Sequence, residues 1–137
     1  MTYHQALQRF GLPTLPIHRE EIRYLLTEEI ERGRRGEQGE EMLRTLCVQL
    51  FSLEAVEDSL LIWDAKECNF DSHCGLDVQF LCGAGLQPTK EFLAVSTLPT
   101  AAEALGYLCR CEEGGDFEGF SPPVWISEYR RYYNLDS

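Results

Sequence analysis

The chain has 137 residues, 44% of them hydrophobic, 11% aromatic and 26% charged, and its 12 Lys and Arg face 23 Asp and Glu for a net charge of −11. This length buries roughly two-thirds of the unfolded surface, and the composition excludes a chain kept disordered by lack of apolar residues. The charge disfavours nucleic acid as a partner, because phosphate recognition needs a basic surface that releases counterions.

The charge is uneven along the chain. Residues 37–128 hold four basic side chains (Arg44, Lys66, Lys90, Arg110) and seventeen acidic ones, a net of −13, whereas residues 1–36 and 129–137 each carry +1. An acidic middle region suits a basic partner, although acidity also serves solubility. An apolar run such as Leu60–Trp63 is far below the ~18 residues of a membrane span. The opening MTYHQALQRFGLP has no basic-then-apolar leader pattern. The expectation is a soluble, cytoplasmic protein without membrane contact.

In chain order, Ile22, Leu25, Leu26 and Ile30 place an apolar stripe on a helix over Arg19–Glu31, which stops at Gly33–Gly36. Leu43, Leu46, Cys47, Leu50 and Phe51 mark a second helix over about Gly39–Ser52, and Val56, Leu60, Leu61 and Trp63 a third over Glu54–Lys66. Asp71 can cap a fourth, carrying Cys74, Val78, Leu81 and Cys82 on one face and Leu76 and Phe80 on another, a pattern that predicts a central helix. Pro88 opens a short fifth with Phe92, Leu93 and Val95. Thr100 and Glu103 have capping-box spacing ahead of Ala101, Ala104, Leu105 and Leu108. Ser121, Pro122 and Pro123 begin a last helix with Trp125, Ile126, Tyr129, Tyr132 and Tyr133. No segment alternates as a strand does. The reading is one all-α domain over 1–137, with about seven helices in an irregular solenoid-like stack of hairpins or a compact bundle.

Chemistry-bearing patterns are sparse. Six cysteines without an export signal predict reduced thiols. A structural zinc site would need Cys109, Cys111 and His73 or Cys74 to converge, and no metal or other cofactor is expected. The glycines of Cys82–Gly85 read as a helix stop rather than a phosphate cradle. No nucleophile elbow, phosphate loop, zinc helix or calcium loop is present, so no catalytic residue is assigned. Two constellations stand out: Trp63, Asp64, Lys66, Asp71, Asp77 and Gln79, and the aromatic run ending in Arg130, Arg131 and Tyr133. Asp77, on a helix with two apolar faces, would need a cation such as Lys66, Arg110 or Arg130. Tyr, Trp and Arg are the residue types of interface hot spots.

The stretch LCVQLFSLEAVEDSLLIWDAKECNFDSHCGLDVQFLCGAGL (Leu46–Leu86), with GDFEGF (Gly115–Phe120) and YRRYY (Tyr129–Tyr133), resembles small bacterial immunity-type proteins of polymorphic-toxin systems. The resemblance implies a non-enzymatic inhibitor that binds a cognate toxin, such as a basic nuclease, and transfers no individual functional residue. The candidate partner-binding residues are Glu57, Asp58, Trp63, Asp64, Asp71, Asp77, Arg130, Arg131 and Tyr133. The alternative is a small-molecule-binding or enzymatic helical domain built on Asp64, Asp71, His73 and Asp77.

Overall fold

The computed structural model describes residues 1–37 and 39–136, and the side chain of Glu40 is left aside; Gln38 and Ser137 lie outside the described residues. Eight α-helices are present among them: α1 (Tyr3–Phe10), α2 (Arg19–Arg34), α3 (Glu40–Phe51), α4 (Ser59–Lys66), α5 (Phe70–Gly75), α6 (Leu86–Val95), α7 (Ala101–Glu113) and α8 (Pro122–Tyr132). Short 3-10 turns occupy Pro16–His18, Val56–Asp58 and Val78–Cys82. No described residue lies in a strand, and no helix is long and apolar enough to cross a membrane. The protein is all-α.

Helix α1 is absent from the periodicity reading. Local chemistry forms it: Thr2 accepts from the Gln5 backbone while the Gln5 side chain accepts from the Thr2 backbone, closing a capping box. The segment expected to start a helix at Glu54 instead holds Glu54 at φ 62 and passes through a 3-10 turn before α4 begins at Ser59. The single central helix expected over 71–82 is two pieces. Asn69, not Asp71, caps α5 by accepting from the Ser72 N–H at 2.8 Å. Leu76 and Asp77 are extended before the turn at Val78–Cys82. Thr100 has helical backbone angles and makes no capping hydrogen bond, so the box with Glu103 does not form. Ser121 does cap α8, accepting from the Val124 N–H.

The helix at the centre is α3. Leu43 and every residue from Thr45 to Phe51 are buried, so from Thr45 onward the helix has no solvent face. Around it pack α1, α2 and the Val78–Cys82 turn, while α4 touches α2, α5, that turn and α7, and α6 pairs with α7. Contacts such as α1 with α3 and α4 with α7 skip neighbours in sequence. Helix α4, in touch with α2, α3, α5 and α7, ties both halves of the chain into one compact all-α body.

Polar groups fix the packing. The buried Gln49 amide donates to the carbonyls of Ala6 and Gly11, each at 3.0 Å, and so holds the end of α1 against α3. Asp58, 1% exposed, receives Arg19 at 3.0 and 2.9 Å and also Arg23, which clamps α2 to the entrance of α4. Helix α8 has no fully buried residue. It lies on the body through rings, with Phe80 5.6 Å from Trp125 and 5.2 Å from Tyr129, and Arg130 donates to the Leu12 carbonyl. Gly83 lies so close to the end of α3 that a Cβ there would stand 2.3 Å from the Phe51 carbonyl oxygen.

Asp58→Ala should lower the unfolding free energy by about 2–4 kcal/mol in urea denaturation, because it strips two cations of a desolvated partner; Glu57→Ala, next to it but open to water, should change it by less than about 0.5 kcal/mol. Gly83→Ala should cost at least about 2 kcal/mol through forced separation of two backbones, whereas Gly39→Ala should be near neutral.

Candidate functional site

The break between α5 and the Val78–Cys82 turn leaves carbonyls without helical donors. Lys66, the last residue of α4 and only 3% exposed, supplies them: its ammonium donates to the carbonyls of His73 and Leu76. A cation at a helix C-terminus also complements the dipole. Burial nevertheless lowers the Lys66 pKa from its ordinary value, opposed by Glu67 and Asp77.

Beyond this ammonium opens a cavity of about 430 Å³ lined by Lys66, His73, Asp77, Gln79, Tyr107 and Asp116, among others. The Tyr107 ring stands 5.4 Å from the Lys66 nitrogen and 5.4 Å from the His73 ring, with Trp63 packed 5.5 Å away. Burial, reinforced by Cys111, pushes the Tyr107 phenol up to about 12. His73 Nδ1 is 2.6 Å from Glu67 Oε1. The Gln79 amide donates to the Asp116 carbonyl at 2.7 Å, tying the loop after α7 to the turn after Asp77. Asp77 reaches solvent at its edge, yet the surrounding protein raises its carboxyl pKa, against the pull of Lys66 and Arg44. A hollow of about 70 Å³ shares Gln79 and Asp116 and continues past Glu118 to Val124 and Trp125.

This arrangement is equipped to bind charge. Burial raises the thiol pKa values of Cys111, of Cys82 to about 12, and of Cys47 further, which keeps them protonated and weakly nucleophilic at neutral pH. Among the described residues no group of three or more His, Cys, Asp or Glu stands close enough to hold a metal ion.

Of the sequence candidates, Asp77 lines the cavity, joined there by His73. Asp77 is not on a helix, as the two-faced pattern implied, but on the extended link before the 3-10 turn. Asp71 lines a separate small hollow beside Leu43 and Arg44. Asp64 is half-buried, its pKa raised by burial and lowered by Arg34. The Asp64, Asp71, His73 and Asp77 set is therefore not gathered in one cavity. Glu57 is open to solvent, but Asp58 and Trp63 are buried, at 1% and 2%, and offer no surface to a partner. Arg130 is engaged by Leu12 and Asp136, and Tyr133 is half-buried and bonded to Thr45 at 2.8 Å; Arg131 is exposed. Tyr107 and Asp116 escaped sequence reasoning. Tyr107 adjoins the α7 stripe without belonging to it, and Asp116 follows two glycines in a stretch with no chemical motif. Lys66 and Gln79 were in the first constellation, though not as cavity walls.

Comparison with protein-family models, curated proteins and solved structures returned no match.

The raised Asp77 pKa means that the folded state binds this proton more tightly than the unfolded state. Stability from Asp77 is therefore full below the ordinary carboxylate range and lost as pH rises through its folded pKa. In urea denaturation at about pH 4 and about pH 7, Asp77→Asn should gain on the wild type as pH rises; a constant or opposite difference would show that Asp77 is not held in a desolvating site.

Proposed function

We propose that the protein is a non-enzymatic, protein-binding inhibitor of the immunity type, acting in the bacterial cytoplasm and neutralising a cognate basic toxin through its acidic middle region. The observation that carries this reading is the set of carboxylates this region leaves open to solvent, while three of its four cations are engaged within the protein. Lys66 is buried on backbone carbonyls, Arg44 is taken by Glu41 and the Gly75 carbonyl, and Lys90 pairs with Glu112 at 2.7 Å. Glu57, Asp71, Asp77, Asp116 and Glu118 remain open to solvent. Each ion pair removes one acid with its cation and Arg110 is exposed, so the surface of this region stays net acidic, as its residue totals indicate.

The cavity and the hollow beside it give this acidity a concave centre, with Asp77 and Asp116 on the rim and Trp125 at the far end. Such a surface favours basic partners by steering encounter, while aromatic contacts slow dissociation. A nuclease-type toxin presents the basic surface that this complementarity requires.

The test is affinity capture from host lysate by the wild type and by an Asp77→Lys/Asp116→Lys variant, at low and raised salt, with mass spectrometry. The expected result is a stoichiometric basic partner whose association slows with salt and whose affinity falls at least about 10-fold in the variant. Equal capture by both forms with no salt dependence would overturn the assignment of binding to this face.

A further inference from the structure

The cavity beside Lys66 has an internal charge pattern that a protein-docking surface does not need. An ammonium has three donors; that of Lys66 gives hydrogen bonds to two neutral carbonyls and touches no carboxylate among the described residues. A cation buried this deeply is stable only with compensation, and carbonyl dipoles supply part of it. Two carboxylates act on this cation: Glu67 is taken up by the His73 ring at 2.6 Å, whereas Asp77, on the cavity lining, attracts Lys66 yet forms no ion pair with it or with any other described residue. The cavity is therefore lined by a buried cation and a solvent-reaching carboxylate that are not joined in a salt bridge.

We propose that this cavity binds a free aliphatic α-amino acid. The ligand's carboxylate completes the Lys66 ammonium, its own ammonium meets Asp77, and its side chain lies against Leu76 and Val78. A pure anion of the same size would be repelled by Asp77 and Asp116, and a pure cation by Lys66; a zwitterion answers both charges at once. The volume of about 430 Å³ accommodates such a molecule. Tyr107 and the Glu67-bound His73 ring form the side walls.

The proposal does not rest on the inhibitor reading, and its test uses the purified chain without a protein partner. L-leucine is titrated calorimetrically and by amide NMR, alongside isocaproate and isopentylamine, which each keep one of its two charges. Saturable L-leucine binding is expected, with shifts at His73–Gln79 and Tyr107, and with affinity about 10-fold weaker for either half-ligand and for Asp77→Asn. Because Lys66 also holds the end of α5, Lys66→Met serves only as a second variant, scored after its fold is verified by the unperturbed α1–α3 signals. Absence of saturation by L-leucine, or equal binding of either half-ligand, would overturn the proposal.

Discussion

The burial of one ammonium organises half of this fold. Lys66 closes α4, and its hydrogen bonds to His73 and Leu76 allow the chain to leave α5 and run extended through Asp77. Without that donor the same carbonyls would require a continued helix or water. The kink directs Phe80 into the core, where it is 1% exposed and carries the rings of Trp125 and Tyr129. The cavity beside Lys66 is thus a by-product of the break, and its chemistry and the position of α8 share one cause.

The other half of the molecule depends on α3, whose polar side chains reach outward to neighbouring elements. Gln49 holds α1, and Thr45 meets the Tyr133 hydroxyl from the end of α8. Cationic charge is used in the same way: Arg19 and Arg23 are spent on a buried carboxylate. The protein assigns several of its few cations to its own carbonyls and acids, which leaves the unpaired carboxylates to shape the outside.

Helices with a full apolar stripe were legible from sequence, and α2, α3, α7 and α8 lie within a few residues of the periodicity. What escaped was set by distant partners. The break at Leu76 follows from a lysine ten residues earlier, and Asp58 is buried because cations 39 and 35 residues away enclose it. Apolar periodicity along 71–82 carries no information about either. Helix α1 escaped for the opposite reason, being short and stabilised by a local cap plus a single buried amide. At the site, Lys66 and Asp77 were recognisable as an interesting pair, but Tyr107 and Asp116 join them only through the return of α7 and its following loop.

Helix α8 brings the two ends of the described chain together: Tyr3 and Tyr133 have ring centroids 6.2 Å apart, and Arg130 reaches back 118 residues to Leu12. Closing so long a loop carries an entropic cost that grows with the logarithm of its length, and no fully buried residue in α8 offsets it directly. Its hold on the body comes instead from half-buried rings and a few hydrogen bonds, which makes the last helix a latch whose release would bare the aromatic wall of Phe80 while leaving the Lys66 junction intact.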